Sequence, residues 1–169
     1  MKELLIVIDM QNDFVFGALG TKEAQAILPA VQETIAAARA NHTEIVFTRD
    51  THTEEYLSTQ EGKHLPVPHC IQGTDGWQIV AGLSQGERVF DKGTFGSEEL
   101  AAYVKAGGYT AVTLIGVCTD ICVISNALLI KAAVPELAMF VVKACCAGVT
   151  PATHEAALIT MASCQVAIV

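Results

Sequence analysis

The sequence predicts an α/β protein: a three-layer α/β/α arrangement in which helices flank a mostly parallel, six-stranded sheet. Two observations carry this. Apolar runs of strand length alternate with segments of helical periodicity along most of the 169 residues, the pattern of strands joined by crossover helices. Those runs are continuously hydrophobic instead of alternating, which suits a sheet covered on both faces. The length itself fits one domain over residues 1–169, with a continuous core and one site.

In chain order, the predicted strands are LLIVI (4–8), EIVFT (44–48), RVFD (88–91), AVTLIG (111–116), AMFVV (138–142) and QVAIV (165–169). Helical periodicity covers 22–40, 97–106, 120–132 and 151–162. Ser97 before EEL suits a helix N-cap, Gly107-Gly108 a helix end, and Pro151 a first turn after Thr150. The stretch from Asp50 to Gly86 breaks the alternation. It is rich in Thr, Gly, His and Pro, and long irregular segments in compact domains are often functional.

Composition narrows the function classes. With 51% hydrophobic and 17% charged residues the chain has ample apolar surface for a core. Acids outnumber bases 18 to 10, and the net charge of -8 argues against nucleic acid, whose phosphates need Lys and Arg. No segment has the roughly 18 uninterrupted apolar residues of a membrane span. The apolar run in MKELLIVIDM is too short for a signal-peptide core, so the cytoplasm is the expected compartment. The six cysteines are therefore read as thiols, most of them buried as small hydrophobes.

Ligands of an open parallel sheet sit at the carboxyl ends of its strands. Asp9 follows the first predicted strand, Asp50 and His52 the second, Lys92 the third, and Thr119-Asp120-Ile121-Cys122 the fourth. Four strand ends thus deliver ionisable or nucleophilic groups to one rim. Cys122 is expected just inside a helix capped by Thr119 or Asp120, where the helix dipole and free N–H groups favour thiolate. Asp9 suits the base that takes its proton, and Lys92 a cation holding negative charge in the site.

Three strings, IDMQNDF at Ile8 to Phe14, FDKGTFGS around Lys92 and GVCTDICV at Gly116 to Val123, resemble the signatures of the isochorismatase-like cysteine hydrolases, in order and spacing. The resemblance spans nearly the whole chain and implies a Rossmann-like fold. It implies Asp9, Lys92 and Cys122 as the catalytic set. It also implies a cis peptide between Val117 and Cys118 that turns the Cys118 N–H, with that of Cys122, toward the substrate oxygen as an oxyanion hole. A homodimer or homotetramer is implied as well.

Asp50-Thr51-His52 with the later His69-Cys70 resembles the metal trio of nicotinamidases, so Asp50, His52 and His69 are expected to hold a divalent metal, Zn, Fe or Mn, with no organic cofactor. Glu54, Glu55 and Ser58 are the candidates for a fourth ligand. Thr51 and Pro66 stand where that group has aromatics. Phe14 matches the aromatic of the first signature, and Phe95, Tyr56 or Trp77 are available for a second face, with Phe14 and Phe95 taken as substrate-binding. His42, His64 and His154 are expected to be solvated.

The leading expectation is a cysteine amidohydrolase that converts a small carboxamide such as nicotinamide to acid and ammonia. A carbamoyl or ureido amidase, needing no metal, is the nearest alternative. Isochorismatase chemistry is disfavoured by Cys122, since vinyl-ether cleavage needs no thiol nucleophile. Outside enzymes, the alternatives are an idle ligand-binding protein or a thiol redox sensor using Cys118, Cys122, Cys145 or Cys146.

Overall fold

The structure, a computed structural model, describes residues 2–169. Six strands, β1 (Glu3–Ile8), β2 (Glu44–Asp50), β3 (Arg88–Lys92), β4 (Ala111–Val117), β5 (Ala138–Ala147) and β6 (Ala167–Ile168), form one sheet. Their order is β3-β2-β1-β4-β5-β6, and every strand pair is parallel. Strand order reverses between β1 and β4, and in such sheets the crevice outside the strand ends at that point is where ligands bind.

The continuous hydrophobicity of the strands is explained by a core on each face. On one side Leu4, Ile6, Ile8, Val112 and Leu114 pack with Leu100, Ala127, Ile130, Leu158 and Met161. The last five residues belong to α4 (Glu98–Gly107), α5 (Ile124–Ala133) and α6 (Pro151–Ser163). On the other side Leu5, Val7, Phe47 and Ile115 pack with Val31 and Ile35 of α2 (Lys22–Ala40), and with Val80 and Leu83 of the irregular stretch. Strand residues alternate between the two cores, as the two-residue period of a strand requires.

The predicted helix ends are built as the sequence indicated. The Ser97 side chain accepts from Leu100 N, Gly108 closes α4 in the left-handed conformation at φ 64°, and Thr150 and Thr153 form a reciprocal cap ahead of Pro151. β5 runs five residues beyond the predicted Val142, whereas β6 shrinks to two residues. The irregular stretch is not wholly irregular. It holds a 3-10 turn (Tyr56–Ser58) and α3 (Gln60–His64), whose N-cap Thr59 accepts from Gly62 N. A further short helix, α1 (Asn12–Val15), follows β1.

One glycine is fixed by close approach. Gly116 pairs with Ile8 across β1 and β4 at φ 120°, and a Cβ there would overlap the Ile8 carbonyl oxygen. Backbone cannot yield as a side-chain tip can. Gly116→Ala is therefore expected to cost about 3 kcal/mol or more in a urea unfolding titration, through strain added to overlap.

Candidate active site

At the carboxyl ends of β1, β3 and β4 the side chains of Asp9, Lys92 and Cys122 meet, at 0%, 4% and 5% exposure. Lys92 Nζ lies 2.7 Å from Asp9 Oδ2 and 3.5 Å from Cys122 Sγ. Asp9 is held by its neighbours: its N–H donates to Thr48 Oγ1 (3.1 Å), and the same hydroxyl donates to Asp9 Oδ1 (2.6 Å). Its backbone is left-handed at φ 47°, a conformation costly for most residues but best tolerated by Asp and Asn. Among the described residues Asp9 Oδ2 has no hydrogen-bond partner beyond its ion contact, so it has capacity for a proton.

Burial and charge set the protonation states. Burial alone would lower the Lys92 ammonium, but Asp9, Cys122 and Asp50 outweigh it, so Lys92 is raised above its ordinary value and stays charged. Burial pushes the Asp9 carboxyl up, Lys92 offsets part of this, and Asp50 adds to it. The Cys122 thiol is raised well above its ordinary range by burial and then by Asp9, against which Lys92 only partly pulls. This runs against the expectation that the helix start favours thiolate. Burial next to a carboxylate thus works against the helix dipole and favours the protonated thiol.

The helix start differs from expectation as well. Cys122 sits in a wide turn of π-helical geometry (Thr119–Val123) that precedes α5, with Cys118 as N-cap and no side-chain cap. The two expected caps are engaged elsewhere. Thr119 Oγ1 bonds His154 Nδ1 (2.8 Å), and Asp120 Oδ1 accepts from Val149 N (3.0 Å). His154, expected to be solvated, is thus half-buried and ties α6 to the turn that carries Cys122. His42 and His64 are exposed, as expected. The Val117–Cys118 peptide is cis. Asn126 of α5, fully buried, donates to Cys122 O (2.8 Å) and Phe95 O (3.2 Å) and accepts from Ser97 N (3.0 Å), so one side chain fixes three segments around the thiol.

Next to this group, Asp50, His52 and His69 come together. A fourth side chain joins them: Glu61 of α3, with one ligand atom from each of the four within 4.8 Å of the others. His52 Nε2 lies 2.8 Å from Asp50 Oδ2 and 3.6 Å from Glu61 Oε1, and His69 Nε2 lies 3.5 Å and 3.6 Å from the same two oxygens. The expected fourth ligands Glu54, Glu55 and Ser58 are exposed and outside this group. Glu61 escaped the sequence reading because only the unpredicted α3, capped by Thr59, turns it inward; the Thr-x-Glu spacing after Ser58 was the one signal available.

The donor set fits a divalent ion. Two imidazole nitrogens and two carboxylates suit Zn, Mn or Fe. His69 Nδ1 is committed to Val67 O at 2.8 Å, which leaves Nε2 facing the cage, the outer-shell bond typical of metal-ligating histidines. Against its burial, Asp50 is held far below the ordinary carboxylate range by His52, His69 and Lys92. Glu61, by contrast, is pushed up by burial and by Asp50. Two carboxylates facing one another in a closed space call for a cation between them.

A model of the isochorismatase domain matches residues 3–169. The chain belongs to the isochorismatase family. Nicotinamidase/pyrazinamidase of Mycobacterium tuberculosis is 31% identical over 98% of this chain and 97% of that protein. The crystal structure of Pyrococcus horikoshii pyrazinamidase in complex with zinc superposes with a TM-score of 0.88 at 32% identity, covering 100% of this chain and 99% of that one. A protein from L. infantum in complex with nicotinate gives 0.84 at 26% identity, covering 99% and 92%.

In this family member the thiol and the four-residue cage open into one cavity of about 880 Å³. Phe14 and Phe95 both line it, as the sequence suggested; Tyr56 and Trp77 do not. Tyr56 is buried behind His52 and His69, its ring centroid 4.8 Å and 4.9 Å from theirs, and its hydroxyl donates to Leu65 O. Trp77 lies under the Arg49 guanidinium at 3.5 Å and donates to Thr51 Oγ1. Glu61→Gln keeps the shape of the side chain but removes its charge. It is expected to weaken Zn²⁺ binding about tenfold or more in competition with a chromophoric chelator, with the thermal midpoint of the metal-free protein little changed.

Proposed function

We propose that the protein is a cysteine amidohydrolase that converts a small carboxamide, with nicotinamide as the leading substrate, to the acid and ammonia. One observation carries the reading: a buried thiol that lines a cavity of ligand size, in contact with a buried ammonium that is itself paired with a buried carboxylate. The similarity to nicotinamidases and pyrazinamidases supports the amide as the bond cut.

The chemistry follows from protons and charges. Asp9 takes the Cys122 proton as the sulfur attacks the amide carbonyl, forming a C–S bond and placing negative charge on oxygen. The N–H groups of Cys118 and Cys122 hold that oxyanion. Lys92, paired with Asp9, keeps the carboxylate ionised before the transfer and compensates the thiolate during it. Asp9 then returns the proton to the leaving nitrogen, the C–N bond breaks, and ammonia departs from a thioester. Asp9 next deprotonates a water, whose attack releases the acid and restores the thiol. Asp50, His52, Glu61 and His69 would hold a divalent ion, and the chemistry it supplies is Lewis-acid attraction for a ring nitrogen or a water.

The reading extends to a cytoplasmic homodimer or homotetramer, which light scattering of the purified protein checks. Ammonia release from nicotinamide tests the chemistry. The wild type is expected to turn it over, and Cys122→Ala to lose about a thousandfold or more in kcat/KM; equal release by both would remove the nucleophile assignment. Chelation is expected to suppress turnover of nicotinamide and Zn²⁺ or Mn²⁺ to restore it. Full activity after chelation would favour the metal-free ureido amidases instead.

A further inference from the structure

We propose that the acyl pocket takes carboxamides whose ring carries an additional apolar substituent, and that it binds them more tightly than a bare single ring. This rests on the amidohydrolase reading for the position of the scissile amide, at Cys122.

The cavity is divided by chemistry. Its polar groups that point to reaction or ligation, Asp50, His52, Glu61, His69 and Cys122, lie together at the inner end. The rest of the lining combines the apolar Leu19, Leu65, Phe95, Ile121 and Val149, contributed by separate segments of the chain, with the polar Thr21, Thr59, Gln60, His64 and Thr94. Leu65, Phe95 and Val149 are 39%, 41% and 51% exposed, so the fold itself leaves them partly uncovered. At about 880 Å³ the cavity is near the upper end of the roughly 300–1,000 Å³ that accommodates drug-sized ligands, far more than a single-ring carboxamide fills.

Of the phenylalanine, tyrosine and tryptophan side chains expected near the site, Phe14 and Phe95 line the cavity. Phe14 is fixed on the inner wall with His69 at 5.5 Å and an interplanar angle of 57°. The other two aromatics near the site are committed outside the cavity, Tyr56 behind the histidines and Trp77 beneath Arg49. Phe95 at the rim is what remains, and its companions Leu65, Ile121 and Val149 are aliphatic. Aliphatic walls have no preferred facing geometry and accept non-planar groups, whereas aromatic pairs reward stacked rings. The same cavity that holds the thiol holds this wall, so the occupant that reaches both is the substrate's own acyl group.

Binding to the Cys122→Ala variant tests this without requiring turnover. Nicotinamide is compared by calorimetry with nicotinamides carrying butyl or phenyl at ring position 5 or 6, using metal-loaded protein. The tightest of the substituted amides is expected to bind at least about tenfold more strongly than nicotinamide, the scale of discrimination that added apolar groups produce in a fitting pocket. In Leu65→Ser/Val149→Ser on the same background that ratio should fall toward one. Substituted amides that bind equally or more weakly would overturn the inference, including the case in which a second copy of the chain covers the wall. Tight binding of the substituted amides with no amide turned over by the wild type would instead leave the pocket assignment standing and remove the amidohydrolase reading.

Discussion

The buried ammonium of Lys92 is the charge around which the site is organised. Removing an ammonium from water costs several kcal/mol, recovered only with close, well-oriented counter-charges. Here there are two, Asp9 Oδ2 at 2.7 Å and Asp50 Oδ1 at 3.3 Å. The sheet makes this possible. Asp50 and Lys92 are register partners across β2 and β3, while Asp9 follows β1, one strand further in. The long, flexible stem of lysine lets a residue on the outermost strand reach across β2 to the switch point, where the thiol follows β4. Loss of this one cation would leave the buried Asp9 carboxylate beside the thiol without its counter-charge, and Asp50 with only its two histidines.

Scaffolding of the site is concentrated in a few buried side chains that do no chemistry. Gln11, fully buried, donates through Nε2 to the carbonyls of Asp50 and Trp77 and accepts from Asp50 N at 2.7 Å. It therefore pairs with Asp50 as a neighbouring strand would, after β1 itself has ended. Two residues on, Asp13 accepts from Cys70 N at 2.8 Å, next to His69. The segment after β1 thus bears Asp9 and also anchors the loop that carries the cage. Asp9 and the four-residue cage are placed by one short stretch of chain, which is why both halves of the site keep a fixed relation although most of the cage lies beyond β2 on an irregular segment.

Legibility of the sequence followed the reach of its local signals. Strands and major helices were readable because their apolar runs and caps are local; α2 was placed at its observed ends, 22 and 40. Asp9, Asp50, Lys92 and Cys122 were readable because they end strands of a parallel sheet, where topology forces convergence. The wide turn at Cys122 was not, since Thr119 and Asp120 are cap residues by type and are recruited instead by His154 and Val149, partners about 30 residues away in sequence. Glu61 was missed for the converse reason: α3 is one turn long and has no periodic signal, yet its cap alone decides which way the carboxylate faces. The protonation of Cys122 depends on burial, a property of the assembled fold that no local pattern carries.

Asp50 joins what would otherwise be two separate sites. Its Oδ1 faces the Lys92 ammonium and its Oδ2 faces His52 and His69, so a single carboxylate belongs to the thiol's electrostatic environment and to the cage at once. Counted together, Asp9, Asp50 and Glu61 make three carboxylates in this connected group against the one ammonium of Lys92. With both imidazoles neutral, as ligation requires, the group lacks two positive charges, which is the charge of a divalent ion. Asp50, His52, Glu61 and His69 would hold such an ion, while Lys92 contacts both Asp50 and the Cys122 thiol. The two oxygens of one carboxylate thus fix the distance between the thiol's group and the four-residue cage.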